Sequence, residues 1–155
     1  GRRSFSFVQR LSKVGRVTRF RLLYESPEYV AVDKPYGIHI HPPEDERFRI
    51  PKNENGLAIL RDQLGKYVYP VHRLDRSTSG VAIYATSSGS AGALARLFSE
   101  RAIEKTYIAL VRGKARAEGV VDSPLSEDGK SAVEARTRFE CLGSIEMPWA
   151  NDRFP

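Results

Sequence analysis

The sequence predicts an α+β fold built on a largely antiparallel or mixed β-sheet with flanking helices. Many short apolar segments have the character of strands, whereas only two segments show the i, i+3, i+7 apolar spacing of a helix. The segments do not follow the regular strand–helix–strand order of a doubly wound parallel sheet. The 155 residues are enough for one domain with its own core.

Apolar residues on either side of a Ser-Pro turn predict the first two strands, over residues 19–24 and 28–34. The sequence Lys-Pro-Tyr-Gly follows at residues 34–37. It predicts a turn, because proline presets φ and glycine permits a positive φ.

An alternating segment, a polar loop and a helix are predicted next. In residues 38–42 the apolar and histidine residues alternate, so His39 and His41 share one face. Residues 42–55 are polar and predict a loop. Leucines at i, i+3 and i+7 predict a helix over residues 56–67.

The second half of the chain is predicted to be mostly strands. Apolar segments at residues 67–71 and 81–85 predict strands on either side of a charged loop. Serines followed by apolar residues at helical spacing predict a helix over residues 87–102. Further strands are predicted over residues 105–113, 119–125, 132–142 and 144–148.

The net charge of +6 comes entirely from the start of the chain. The first 24 residues hold seven basic side chains and no acidic one, and the rest of the chain holds 18 basic and 19 acidic ones. We therefore expect a basic arm over residues 1–21 and one domain over residues 22–155. The arm is either a solvated tail or a segment that neutralises phosphates and adds salt-sensitive RNA affinity. Composition leaves both interpretations open.

Cysteine content and hydropathy indicate the cell compartment. A single cysteine, Cys141, cannot form an internal disulfide and offers too few thiolates for a structural zinc site. No apolar run approaches the ~18 residues of a membrane span, and no signal-peptide core follows the basic start. These features predict a soluble protein of the cytoplasm that makes no membrane contact.

The segment VHRLDRSTSG, residues 71–80, concentrates charged and hydroxyl side chains between two predicted strands. In one interpretation Asp75 is structural and bonds nearby amides or pairs with Arg73. A kinase catalytic loop is a second interpretation, but the residue order differs and no glycine-rich nucleotide loop accompanies it. A metal site formed by the three histidines is a third. No carboxylate or cysteine accompanies these histidines at a spacing typical of metal ligands, so no metal is predicted.

The segments KPYGIHIHP, HRLDRSTSG and RAIEKTYIALVRG, in this order, resemble the motifs of the RluA family of RNA pseudouridine synthases. The resemblance extends from residue 22 to the end of the chain. LRDQLGKYVYPVHRLDRSTSGV and IEMPWANDRFP resemble the branch that modifies a uridine at the base of the tRNA acceptor stem. The resemblance implies the pseudouridine synthase catalytic fold and tRNA as the partner. The alternatives are an rRNA-directed member of the family and a catalytically silent RNA-binding module.

The resemblance also implies roles for five side chains. Asp75 is the catalytic carboxylate, which either attacks C1′ or removes a proton from C2′ of the ribose. Arg73 takes the space of the flipped base or holds the rearranged RNA, unless it pairs with Asp75. Tyr107 stacks on the uracil, and its hydroxyl can serve in removing the C5 proton, unless the ring belongs to the core. Lys105 and Arg101 contact phosphates.

The same chemistry needs no redox cofactor, metal or nucleotide, so none is expected, and a monomer is expected. Lys34 and Gly37 are expected only to shape a turn near the site. Members of the family continue into a strand with a T-G-R-x-H-Q-like motif, whose arginine pairs with the catalytic aspartate. No segment here matches that motif, so we expect a chain that is C-terminally truncated relative to the family and incomplete as a catalyst.

Overall fold

The computed structural model describes residues 19–42, 49–126 and 131–146. The chain forms two compact units, residues 1–105 and residues 106–155. Most of the predicted basic arm, residues 1–18, lies outside the described residues.

The first unit contains a four-stranded antiparallel sheet and two α-helices. The strand order is β1-β2-β4-β3, so consecutive strands are not always neighbours. A short 3₁₀-helix, Lys52–Glu54, precedes the first α-helix. The bounds are β1 Arg21–Glu25, β2 Tyr29–Lys34, α1 Gly56–Leu64, β3 Tyr69–Pro70, β4 Gly80–Ala85 and α2 Ser88–Ser99. The predicted α+β class with an antiparallel sheet is confirmed.

The core lies on one face of the central strands β2 and β4. The register pairs Val30 with Tyr84 and Val32 with Ala82, and these four side chains are fully buried. One apolar cluster joins them to residues of α1 and of the segments before and after it. The other buried members are Phe20, Ile38, Ile40, Ile59, Leu60 and Val68. The predicted alternation of residues 38–42 is confirmed, because both isoleucines are buried and both histidines are half-buried.

Both helices begin after a side chain that caps them, and α1 ends at a glycine with a left-handed backbone. The Asn55 side chain accepts a hydrogen bond from the Ala58 amide at the start of α1, and Gly65 ends this helix with φ 64°. The Ser87 side chain caps α2 by accepting from the Ser90 amide. Both predicted helices are confirmed, and both end three residues earlier than expected. For α1 the reason is the left-handed conformation of Gly65.

The first residue of α1 lies in a site with no room for a side chain. A Cβ on Gly56 would lie 2.7 Å from the His39 carbonyl oxygen and 2.8 Å from the Tyr84 hydroxyl. The first is backbone, and the second belongs to a buried ring, so neither can move easily.

We expect Gly56→Ala to lower the free energy of unfolding by about 1–3 kcal/mol, the range of an overpacked core. The matched control is Gly92→Ala on the exposed side of α2, where nothing lies within 4 Å of the new Cβ. There alanine should stabilise by roughly 0.5–1 kcal/mol through helix propensity. Urea denaturation measures both variants, and changes of the same sign would contradict the steric argument.

The second unit contains a two-stranded antiparallel sheet of β5, Glu118–Asp122, and β6, Arg136–Glu140. A further antiparallel bridge joins Leu125 to Val133, so the strands predicted over 119–125 and 132–142 are confirmed in their paired parts. Of the strand predicted over 144–148, residues 144–146 are not a strand, and residues 147–148 lie outside the described part of the chain.

The strand predicted over residues 105–113 is wrong. A strand needs a partner for its backbone groups, and no other described segment forms a ladder with this one. Its apolar side chains are accordingly exposed; Ile108 and Leu110 are both 88% exposed. The strand predicted over residues 67–71 is also shorter than expected, because only Tyr69 and Pro70 pair with β4. Among the described residues, no helix has the length and apolar character that crossing a membrane requires.

Candidate active site

In the first half of the loop between β3 and β4, residues 72–75, side chains that anchor the loop alternate with side chains exposed to solvent. His72 and Leu74 are half-buried, and Leu74 packs against the core cluster. Arg73 and Asp75, which alternate with them, are exposed. The local sequence therefore separates the two tasks: apolar or ring side chains hold the loop, and charged side chains face solvent.

His72 replaces the strand partner that β4 loses where β3 ends. The register that pairs Pro70 with Tyr84 would place Val71 opposite Ile83. Instead, the Ile83 amide donates to Nε2 of His72 at 2.9 Å. Because Nε2 accepts, Nδ1 carries the proton and donates to the Arg73 carbonyl oxygen at 3.1 Å. The ring also stacks on Phe98 of α2, with 4.7 Å between centroids.

Burial lowers the pKa of His72 below its usual 6.5, and the positive charge of Lys105 lowers it further. The hydrogen bond to the Arg73 carbonyl acts in the opposite direction. The neutral ring is the form that the contacts require, since a protonated Nε2 could not accept from Ile83.

We expect the free energy of unfolding to fall as the pH drops below about 6.5. Above this pH His72 is neutral in both states, and below it the unfolded chain binds a proton that the folded chain resists. In His72→Gln, whose amide oxygen can accept from Ile83 without titrating, this loss should be smaller. Urea denaturation from about pH 8 to pH 5 measures how steeply the free energy of unfolding depends on pH in the unaltered protein and in His72→Gln.

His39→Gln is the companion variant, because burial also lowers the pKa of His39. Each single variant should remove part of the slope. Equal slopes in the unaltered protein and His72→Gln would contradict the assignment to His72.

The loop is also tied to the turn that follows β2. The amide of Gly37, whose φ is 87°, donates to the Arg76 carbonyl oxygen at 2.7 Å. The Arg76 guanidinium forms an ion pair with Glu54 at 3.0 Å. Within the loop, the Thr78 amide donates to the Asp75 carbonyl oxygen at 3.0 Å. Main-chain bonds thus fix the loop at Asp75 and Arg76, and the His72 ring holds it before Asp75.

Lys34 ends β2 beside this turn, and its side chain is fully buried. Burial lowers its pKa, and the negative charge of Asp75 opposes that effect. Lys34 was expected only to shape the turn, and its burial was not predicted. The signal was available: Lys34 stands two residues after Val32 and four after Val30, so strand alternation places all three on the core face.

The remaining predicted site residues divide between the two units. Arg101 and Lys105 are exposed in the first unit, and Arg101 has a left-handed backbone with φ 55°. Tyr107 belongs to the second unit, where its ring is 59% exposed, so it is not a core residue there. No ion pair joins Arg73 to Asp75, although both lie in the described part of the loop. That all three of Asp75, Arg73 and Tyr107 line one cleft stays a prediction.

The metal interpretation receives no support from the described residues. Within residues 19–42, 49–126 and 131–146, no group of three or more histidine, cysteine, aspartate or glutamate side chains could hold an ion. Both nitrogens of His72 are already engaged with backbone groups.

Curated relatives share the sequence over most of this chain. The tRNA pseudouridine synthase C of Pasteurella multocida is 37% identical over 147 residues, which cover 86% of this chain and 58% of that protein. The enzyme of the same name from Vibrio parahaemolyticus is 38% identical with the same coverage. The chain thus spans 58% of the length of these relatives.

Solved structures share the fold. Human RNA pseudouridylate synthase domain containing 4 superposes with a TM-score of 0.57 at 25% identity, covering 80% of this chain and 54% of that one. Human RNA pseudouridylate synthase domain containing 1 gives a TM-score of 0.63 at 22% identity, covering 81% and 53%, and shows likeness of fold alone. The family model described as RNA pseudouridylate synthase matches residues 28–149, which include the Asp75 loop and the turn beneath it. This chain therefore belongs to the RNA pseudouridylate synthase family.

Proposed function

We propose that the protein carrying this chain is an isomerase that converts a specific uridine of tRNA to pseudouridine, with Asp75 as the catalytic carboxylate. The observation that carries the proposal is the loop of residues 72–79, which lies inside the family match and presents an exposed carboxylate on an anchored backbone. The curated relatives are named as tRNA enzymes, which supports tRNA as the substrate.

The reaction rearranges one glycosidic bond. The C1′–N1 bond breaks, the detached uracil turns, and a C5–C1′ bond forms. The C5 hydrogen leaves as a proton and N1 gains a proton, so nothing is oxidised or reduced. Asp75 begins the reaction by attacking C1′, as carboxylates do in retaining glycosidases, or by removing a proton from C2′. Neither route requires a cofactor or metal.

The uridine must leave its stack before the carboxylate can reach the ribose, which costs roughly a few kcal/mol. Arg73 is suited to hold the rearranged RNA, because it is exposed beside Asp75 and forms no ion pair with it. Tyr107 offers an exposed ring for stacking on the flipped base. Lys105 and Arg101 would contact phosphates, which set the register of the RNA without reading its sequence.

We further propose a target at the base of the acceptor stem, a monomeric enzyme and a cytoplasmic location. The target is supported by the resemblance of residues 60–81 and 145–155 to the tRNA-modifying branch of the family. The free cysteine Cys141 suits a reducing compartment.

Tritium release tests this proposal. The whole protein is incubated with tRNA labelled with [5-³H]uridine, because pseudouridine formation exchanges the C5 hydrogen with water. We expect release from tRNA and none from ribosomal RNA carrying the same label. Release from ribosomal RNA alone would overturn the tRNA assignment. RNA binding without any release would instead identify a silent binding module.

A further inference from the structure

We infer that Tyr36 is an RNA-contacting residue, whose ring stacks on a nucleobase of the bound tRNA next to the target uridine. The nature of this ligand rests on the proposed function, whereas the exposure of the ring and its place beside the Asp75 loop do not. The turn after β2 thereby contacts the substrate directly.

Tyr36 differs from the other exposed tyrosines of the first unit. Tyr24 and Tyr67 are also more than half exposed, but each ring has a neighbour. The Tyr24 ring lies 5.3 Å from the Tyr29 ring. The Arg61 guanidinium lies 4.9 Å from the centroid of the Tyr67 ring. The Tyr36 side chain is 57% exposed and forms no hydrogen bond, ring stack or cation–π contact with the part of the chain that the structure describes. Its ring is therefore open to a ligand.

The backbone that carries this ring is held on both sides. Before Tyr36, the ring of Pro35 fixes φ, and the Pro35 carbonyl oxygen accepts from Nζ of Lys34 at 3.2 Å. After Tyr36, the amide of Gly37 donates to the Arg76 carbonyl oxygen at 2.7 Å. A tyrosine side chain has only two torsions to fix, so it binds a ligand at a low cost in conformational entropy. The turn thus presents a rigid aromatic surface.

The same turn places the ring at the Asp75 loop. Gly37 directly follows Tyr36, and its hydrogen-bond partner Arg76 directly follows Asp75. Because the side chains of Tyr36 and Asp75 are both exposed, a ligand as large as an RNA stem can contact the two together. Tyr36 is therefore an exposed aromatic residue that a main-chain bond ties to the proposed catalytic loop.

A nucleobase is the ligand chemistry that suits this ring. Flipping the target uridine out of its stack removes a stacking partner from the bases next to it. An aromatic side chain restores that contact without selecting one base, because every base has a π-face. Tyr107 is proposed for the flipped uracil itself, so Tyr36 is assigned to a base that stays in the RNA beside it.

The test measures the affinity of the whole protein for tRNA by filter binding. Tyr36→Leu keeps an apolar side chain and removes the aromatic ring, whereas Tyr36→Phe keeps the ring and removes the hydroxyl. Tyr67→Leu is the matched control. Tyr67 is 72% exposed and precedes β3, whose first residue, Tyr69, pairs with Ala85 at the end of β4 away from the loop.

We expect Tyr36→Leu to weaken tRNA binding about 10-fold or more, which is the scale of one base–aromatic contact. Tyr36→Phe and Tyr67→Leu should bind like the unaltered protein. The free energy of unfolding should be the same in Tyr36→Leu and Tyr36→Phe, because the ring is exposed. Unchanged binding in Tyr36→Leu, or equal weakening in Tyr36→Leu and Tyr67→Leu, would overturn the inference. A loss of folding stability in Tyr36→Leu without a loss of affinity would also overturn it, by assigning the ring to a contact within the protein.

An abasic tRNA locates the contact. With an abasic nucleotide on the 5′ or the 3′ side of the target uridine, Tyr36→Leu and the unaltered protein should bind equally on one of the two sides. A difference that persists with both abasic tRNAs would place the ring elsewhere on the RNA and overturn the assignment.

Binding and turnover distinguish the two proposals. If the whole protein binds tRNA without releasing tritium and Tyr36→Leu weakens that binding, the stacking role stands and the catalytic function fails. If tritium is released and Tyr36→Leu binds tRNA like the unaltered protein, the proposed function stands and the stacking role fails.

Discussion

Asp75→Asn is expected to abolish pseudouridine formation in the whole protein while leaving its fold and its affinity for tRNA intact. Asparagine keeps the size of the side chain and removes the negative charge that attacks C1′ or accepts the C2′ proton. Removing a catalytic carboxylate of this kind costs about 10⁴-fold or more in turnover. The fold should survive, because the side chain is exposed and the loop is held through the Asp75 backbone carbonyl.

Tritium release measures the turnover of this variant, and a filter-binding titration measures its affinity for tRNA. The control is Asp33→Asn, which removes one negative charge from the exposed face of β2 and should retain activity. Turnover by Asp75→Asn comparable to that of the control would exclude Asp75 as the catalytic carboxylate.

Tyr107→Ala is expected to lower kcat/KM by roughly 10- to 100-fold. The physical reason is the loss of a ring that stacks on the flipped uracil, since such base–aromatic contacts contribute about 1–3 kcal/mol each. The ring is 59% exposed, so its removal should cost little folding stability. Tyr107→Phe separates the contribution of the ring from that of the hydroxyl, because phenylalanine keeps the stacking surface and lacks the hydroxyl.

Steady-state kinetics on tRNA compares these variants with Tyr67→Ala. Tyr67 is a 72% exposed tyrosine whose ring contacts Arg61, and its removal should leave kcat/KM unchanged. A full loss in Tyr107→Phe would assign the role to the hydroxyl and to removal of the C5 proton. Equal kinetics for Tyr107→Ala and Tyr67→Ala would remove Tyr107 from the site.

Sequence patterns were sufficient where a local cause sets the structure. The helix α2 follows from the Ser87 cap and from apolar residues at helical spacing. The strands β2 and β4 follow from apolar alternation, which also describes how they pack. The candidate loop was found because its charged residues stand between the strands predicted over residues 67–71 and 81–85. Its assignment to the site rests on the family resemblance.

The errors arise where partners distant in the sequence decide. Residues 105–113 have strand propensity, but propensity cannot say whether a neighbouring strand is present to pair with them. The role of His72 was invisible for a similar reason. His72 accepts from the Ile83 amide because β3 ends at Pro70. The apolar pattern of residues 67–71 predicted a longer strand, which would have paired with Ile83 itself. The burial of Lys34 was missed, although the alternation of β2 places Lys34 on the same buried face as Val30 and Val32.

The alternation of buried and exposed side chains in residues 72–75 implies that protein abundance and enzymatic output respond to different positions. Substitutions at His72 and Leu74 remove contacts with β4, α2 or the core, so they should reduce the amount of folded protein in a cell. Substitutions at Arg73 and Asp75 change exposed side chains and should leave that amount nearly unchanged. A variant library scored only by cellular protein level would therefore classify the two residues proposed for chemistry as tolerant. The same library scored by pseudouridine content would give the opposite ranking for Asp75, and the positions where the two scores disagree would mark the catalytic surface.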